Sequence, residues 1–194
     1  MKFDEKNIVV QNVLTDSELE DVLSSIKNPY NKYVMSMFVQ QISDFRMPLS
    51  IEKKIISYVE KITGLSGFEM EYQFSRYELL DLNGKTEIPN LKPHFDRFDE
   101  PRFTFDYQID SNISWPLYVE GEEFILKNNQ ALTFSGTHQI HWRSSRDFIP
   151  GEFLEMIFCH LYLKDSEGTL GLDHFNLMDD KSEEWRLKLE AANG

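Results

Sequence analysis

"LKPHFDRFDEPRF", residues 91–103, holds the two positions on which the reading of the chain turns: His94 and Asp96, two apart, directly after Pro93. In extended chain, successive side chains point to opposite faces, so positions i and i+2 share one face while Phe95 turns to the other. His94 and Asp96 can therefore reach one point in space, offering a neutral nitrogen donor and a hard anionic oxygen. These are two members of a two-histidine, one-carboxylate set, the arrangement that leaves open positions on iron. An H-x-D string also arises by chance, so the reading depends on a third donor elsewhere in the chain.

Around this pair the hydrophobic pattern changes its period. Upstream, "TDSELEDVLSSIKN" (15–28) reads as a helix capped by Thr15 or Asp16, with Leu19, Val22, Leu23 and Ile26 on one face. "PLSIEKKIISYVEKITGLSG" (48–67) reads as a second, with Ser50 as cap, a stripe of Ile51, Ile55, Ile56, Val59 and Ile62, and Gly64 or Gly67 as its end. From about residue 69 the pattern alternates. "MEYQFSRYELL" (70–80), "FTFDYQID" (103–110), "PLYVEGEEFILKNNQALTF" (116–134) and "FLEMIFCHLYL" (153–163) read as strands, with "DLNGKTEIPN" (81–90) and "LKNNQ" (126–130) as loops or turns. Within 103–110, Phe103, Phe105, Tyr107 and Ile109 share one face; Thr104, Asp106 and Gln108 share the other, which meets water or lines a polar cavity. "DDKSEEWRLKLEAANG" (179–194) reads as an acid-started helix carrying Trp185, Leu187 and Leu189.

Helices followed by many short strands predict an α+β fold, a jelly-roll core backed by N-terminal helices and closed by a C-terminal helix. At 194 residues and 41% hydrophobic content one domain is expected over 1–194: helical support over 1–68, the core with the site over 69–165, and a helical extension over 166–194. The net charge of −13, spread along the chain, argues against a nucleic-acid partner, since that affinity comes from clustered Lys and Arg. No stretch approaches the length of a membrane span, and "MKFDEKNIVV" has acids where a secretory leader needs basic residues. A single cysteine, Cys159 in an apolar run, fits a buried thiol in a reducing compartment. The expectation is a soluble, cytoplasmic protein; oligomeric state is not legible.

Five histidines are present: His94, His138, His141, His160 and His174. In "NQALTFSGTHQIHWRSSRDF" (129–148) a strand ending at Phe134 turns at Ser135-Gly136 and leads into a second short strand holding His138 and His141. Three apart, these two face opposite sides, so at most one joins the site. His160 sits among Met, Phe, Leu and Tyr, where a satisfied core histidine or a contact to a ligand's back side is expected, and His174 in "GLDHFNL" has no assigned role.

At this point the sequence resembles the Fe(II)- and 2-oxoglutarate-dependent dioxygenases, in particular their prolyl hydroxylase-like branch. The pieces match in order over roughly residues 70–165: "FSRYELL" with Arg76 and Tyr77, "KPHFD" with His94 and Asp96, and "ALTFSGTHQIHWR" with His141. The resemblance implies a double-stranded β-helix with Fe(II) held by His94, Asp96 and His141, 2-oxoglutarate as cosubstrate, and O2. It also implies hydroxylation of an unactivated C–H bond with release of succinate and CO2. His138 is the alternative third ligand. Tyr77 matches a tyrosine that hydrogen-bonds the cosubstrate.

One part of the pattern is missing. Relatives place an Arg or Lys for the far carboxylate of 2-oxoglutarate about ten residues after the second histidine, where this chain reads "PGEFLEMIF" (150–158). Arg143, on the same strand face as His141, is the first candidate anchor and Arg146 the second, a guanidinium being suited to a carboxylate. Thr104 and Gln108 are candidates for the pocket wall, Trp142 for packing, and "RFDEPRF" (97–103), with Arg97, Asp99 and Arg102, for a loop over the mouth. The substrate is expected to be a peptide or small molecule. The missing anchor keeps a second reading open, a jelly roll that binds metal or ligand without turnover; a plain interaction module would leave the ordered motifs unexplained.

Overall fold

The computed structural model describes residues 7–28, 31–36, 39–82, 85–87, 89–164 and 170–193. Helix α1 (Asp16–Ile26) begins with a reciprocal cap, the Thr15 hydroxyl accepting from the Glu18 amide and the Glu18 carboxylate from the Thr15 amide. Helix α2 (Leu49–Thr63) starts at Pro48, ahead of the expected cap Ser50. The Pro48 carbonyl already accepts from the Ile51 and Glu52 amides, so the Ser50 hydroxyl falls inside the first turn. The helix ends at Gly64, whose φ of 69° is the left-handed conformation that glycine adopts without strain.

The strands are β1 (Ile8–Gln11), β2 (Tyr33–Ser36), β3 (Val39–Ile42), β4 (Phe68–Glu78), β5 (Leu80–Leu82), β6 (Lys85–Glu87), β7 (Phe103–Ser111), β8 (Leu117–Val119), β9 (Glu122–Phe124), β10 (Gln130–Phe134), β11 (His141–Arg143) and β12 (Phe153–Leu163). A seven-stranded sheet runs β1-β10-β7-β12-β4-β3-β2, a three-stranded sheet β11-β8-β9 faces it, and β5 pairs with β6. His94 adds a single antiparallel bridge to His141, extending the small sheet. This is the expected α+β jelly roll, with one correction: the segment 1–68, expected to be helical support, also supplies β1, β2 and β3 to the large sheet. The stretch 81–90, read as a loop, contains the end of β5 and the whole of β6, with residues 83, 84 and 88 outside the described set.

The pleat gives the large sheet two buried faces. Outward, Phe103, Phe105, Tyr107, Ile157 and Cys159 pack with Val22, Ile26, Ile51, Ile55 and Val59 of the two helices. Inward, the strands pair so that side chains form rungs across the floor of the jelly roll. Gln41, Ser75, Met156 and Gln108 make one; Gln73, Phe158 and Asp106 the next; Glu71, His160 and Thr104 the third. Burial of apolar side chains on the helix face stabilises the sheet. Helix packing on one face and the opposing small sheet on the other leave the inward Thr104, Asp106 and Gln108 of β7 buried, while Glu71 and Gln73 of β4 remain exposed.

Helix α3 (Leu172–Asn193) begins seven residues before the expected start at Asp179 and so includes His174. Trp185 lies 4.7 Å from Trp142 between ring centroids, Trp142 stacks on Tyr118, and Met178 is buried with Phe95 and Ile140. Gly121, at φ 86°, gives Trp185 room: a Cβ there would lie 3.0 Å from the indole. Among the described residues no helix is long and apolar enough to cross a membrane.

Candidate active site

The bridge between His94 and His141, with both backbone hydrogen bonds made (3.1 and 3.0 Å), brings the two rings to 4.2 Å between centroids. Asp96 is fixed by its amide, which donates to the Gly136 carbonyl at 2.9 Å. Ligating atoms of His94, Asp96 and His141 all fall within 4.8 Å of one another. Each imidazole presents its Nδ1 to a backbone carbonyl, His94 to Lys92 at 2.8 Å and His141 to Gln139 at 3.1 Å, which leaves both Nε2 atoms free to bind a cation.

The two oxygens of Asp96 are differentiated. Oδ2 accepts from the Thr104 hydroxyl at 3.0 Å and lies 3.7 Å from His160 Nδ1, while Oδ1 faces His141 Nε2 at 3.5 Å. Gly136 permits this closeness: a Cβ there would overlap Asp96 Oδ2 and Thr104 Oγ1 and sit 2.9 Å from Asp96 Cγ. Burial pushes the Asp96 carboxyl upward, but the facing histidines outweigh it and hold it well below the usual carboxylate range. Burial pulls His94 down to about 4, so it stands neutral and ligand-ready at neutral pH. Burial also opposes the charged form of His141, but Asp96 more than compensates and raises it. A metal ion must therefore compete with a proton for His141 Nε2, which faces Asp96.

These residues sit in a cavity of about 1070 Å³ between the two sheets. Its walls include Tyr77, Thr104, Asp106 and His160, with Phe98, Lys92, Arg97 and Arg186 around the mouth. Arg143 is not among these walls: it is buried beside them, 3% exposed, with its guanidinium donating to the Trp115 carbonyl and to Met156 Sδ. Its Nε has no hydrogen-bond partner, and no described carboxylate lies within ion-pair distance. Burial lowers its titration, while the charge acts on Tyr77 and Asp106 nearby. Ser75 Oγ and Asp106 Oδ1 are likewise buried without partners. Buried polar atoms left unpaired in a native fold mark places where something else binds.

Several sequence expectations change here. Arg146 is not in the cavity: it lies past the end of β11, pairs with Glu152 at 2.8 Å and donates to the Ser114 carbonyl. Gln108 faces inward but too far along β7, and its amide donates to Asn128. His138 is in the turn after β10 and not in a strand with His141; its Nδ1 is engaged by the Ser135 and Thr137 hydroxyls. His174 Nε2 lies 3.0 Å from the Thr137 carbonyl. His160, expected to be either a satisfied core histidine or a contact behind a ligand, stands on the inward face beside Asp96, as the second of these has it, with Nδ1 lacking a hydrogen-bond partner. Trp142 packs away from the site, as its strand position predicts. Of the mouth loop, Arg97 pairs with Asp179, the Asp99 carbonyl accepts from the Leu170 amide, and Arg102 lies over Phe98 while pairing with Glu71 and Glu100. Ser75 was not named from sequence, Asp106 was placed on the polar face of its strand without a site role, and Gly136 was read only as a turn.

Solved structures share this fold. The non-heme alpha ketoglutarate dependent epimerase SnoN from nogalamycin biosynthesis superposes with a TM-score of 0.63, covering 81% of this chain and 78% of its own, at 11% identity. HygX from Streptomyces hygroscopicus, solved with nickel, 2-oxoglutarate and hygromycin B, gives 0.55 over 84% of each chain at 11% identity. A Pseudomonas putida prolyl-4-hydroxylase gives 0.56 over 81% of this chain and 92% of its own at 10% identity. No protein-family model and no curated protein matches the sequence. The chain thus has the fold of the Fe(II)/2-oxoglutarate-dependent oxygenases, prolyl hydroxylases among them, as the motif order anticipates.

Proposed function

We propose that this protein is an Fe(II)- and 2-oxoglutarate-dependent oxygenase that oxidises an unactivated C–H bond of a peptide residue or small molecule. The observation that carries the reading is the convergence of His94, Asp96 and His141 inside the cavity of a jelly roll of this kind. The donor set fits Fe(II): two imidazoles whose Nδ1 atoms are turned to backbone carbonyls, leaving Nε2 as the donor, and one carboxylate oxygen, the open-sided triad of non-heme iron oxygenases. Ser75 Oγ and Asp106 Oδ1, unpaired in the cavity wall, and the Arg143 guanidinium beside them, whose Nε is unpaired, fit a small carboxylate-bearing cosubstrate. SnoN and HygX have been solved with alpha ketoglutarate or 2-oxoglutarate and a metal ion.

When bound, iron and 2-oxoglutarate supply the oxidising power, with succinate and CO2 as by-products. The chain's own residues supply geometry and electrostatics. His94 and His141 present Nε2, and Thr104 occupies Asp96 Oδ2 so that Oδ1 is the oxygen offered to the metal. Arg143 anchors the far carboxylate, with Tyr77 beside it; burial pushes the Tyr77 phenol well above its usual range, so it remains a hydrogen-bond donor. Phe134 packs edge-on against His141 and helps to keep its ring in place. The remainder of the cavity, opening past Phe98 and Gln73, receives the substrate. Succinate formation from 2-oxoglutarate by the Fe(II)-loaded protein tests the reading. Asp96→Ala should abolish it with the melting transition retained; unchanged turnover in that variant would contradict the assigned triad.

A further inference from the structure

The deep pocket holds one more carboxyl group than a dicarboxylate site needs. The buried guanidinium of Arg143 stands beside the cavity and acts on its wall residues Tyr77 and Asp106, and among the described residues no carboxylate pairs with it. Asp106, 4% exposed, itself lines the cavity from the middle rung of β7, flanked there by Phe158. Its Oδ1 has no hydrogen-bond partner. On the proposed function, which this inference rests on, 2-oxoglutarate brings its far carboxylate to Arg143. Two carboxyl groups then share one guanidinium in a site screened from water. Like charges so confined do not both ionise; one proton is kept between them, as in paired catalytic carboxylates.

We infer that Asp106 binds the far carboxylate of the cosubstrate as a neutral acid, donating a hydrogen bond to it, so that cosubstrate binding takes up one proton. The charged and titratable groups facing Asp106 are His141 and Arg143 on β11, Asp96 on the metal loop, Tyr77 on β4 and the Cys159 thiol of neighbouring β12. None of the others takes up a proton there. Asp96 is occupied by Thr104 and His141, while Tyr77 and Cys159 are pushed upward by burial and stay neutral. In the metal-free protein burial already holds the Asp106 carboxyl up at about 7. Below that pH it is protonated before the cosubstrate arrives and nothing is taken up. Above it, each binding event draws one proton from solvent, and affinity falls tenfold per pH unit.

Calorimetric titration of the Ni(II)-loaded protein with 2-oxoglutarate tests this without turnover. It is run between about pH 5.5 and 8.5 in pairs of buffers that differ in ionisation heat. Both carboxylates of 2-oxoglutarate are ionised throughout. The wild type should take up close to one proton per ligand at the alkaline end and almost none at the acid end, with Kd rising tenfold per unit in between. Asp106→Asn, a neutral isostere, should show no uptake and a flat Kd. Binding without proton uptake in the wild type, or uptake retained in Asp106→Asn, would overturn the role of Asp106 and leave the proposed function standing. No 2-oxoglutarate binding at any pH, in protein shown to hold Ni(II), would overturn both. The wild-type proton count decides the matter even where the variant does not fold.

Discussion

Replacing Gly136 by alanine should disable the metal site through a single methyl group. An ideal Cβ at 136 lies 2.9 Å from Asp96 Cγ and overlaps Asp96 Oδ2 and Thr104 Oγ1. Ordinary carbon–carbon contacts begin at about 3.4 Å or more, so the carboxyl carbon must retreat by roughly 0.5 Å and its oxygen by more. The backbone has little freedom to absorb this, because the Gly136 carbonyl accepts from the Asp96 amide and the neighbouring turn is held by Ser135. Metal–ligand distances tolerate only about 0.2 Å, so the Oδ1 position is lost as the carboxylate rotates. Fe(II) or Ni(II) affinity should drop by at least 10–100-fold, roughly the loss that follows from disturbing a ligand's supporting contacts. Overpacking should also cost about 1–3 kcal/mol of stability. Gly151→Ala is the matched control: its φ is 89°, but nothing lies within 4 Å of the added methyl, so it should lower stability and leave metal binding unchanged. The assay is calorimetric metal titration beside thermal melting. Metal affinity in Gly136→Ala within about twofold of wild type would refute the argument.

Arg143→Ala should raise the KM for 2-oxoglutarate far more than Arg146→Ala, since only Arg143 is buried beside the cavity; equal effects would move the anchor elsewhere. Trp185→Ala should cost about 2 kcal/mol in denaturant melts by removing the cover over Trp142, with Leu187→Ala, 58% exposed, near neutral. In the metal-free protein Asp106 stays protonated up to about pH 7 when folded but ionises above the ordinary carboxylate range when unfolded. Stability should therefore fall as pH rises from about 4 to about 7 and then level off, a loss of roughly 4 kcal/mol from this group. Asp106→Asn should melt above wild type near pH 8, with the gap closing toward pH 4; a gap independent of pH would contradict the burial of an acid there. Thr15→Ala should remove the reciprocal cap of α1 and cost about 1 kcal/mol in denaturant melts, with no change in metal affinity.

The elements that could be read from the chain are those whose information is local. β7 and β12 alternate over eight or more residues, and their inward and outward faces follow from parity alone. The same parity puts His94 with Asp96 and His141 with Arg143, so the cluster and the buried guanidinium were legible. It gave no guidance for Arg146, because β11 ends at Arg143 and chain beyond a strand end has no fixed face. Gln108 has the right parity but the wrong depth, which depends on how far β7 runs beneath the small sheet. His160 shares the inward face with Met156 and Phe158, a fact masked by the apolar character of its neighbours. β2 and β3 are four residues each and draw their stability from pairing with each other and with β4, not from a pattern of their own. Asp106 carried a signal: a carboxylate in the centre of a strand whose other face is entirely aromatic and aliphatic has no solvent to meet once both faces are covered.

The central claim is tested most directly by adding Fe(II) and then 2-oxoglutarate to the purified protein without oxygen and recording the visible spectrum. The weak charge-transfer absorption of the iron-bound cosubstrate should develop in the wild type and in His138→Ala and be absent in His141→Ala. Its absence from the wild type, in protein shown to hold one equivalent of iron, would contradict the account and favour a jelly roll that binds metal without this cosubstrate.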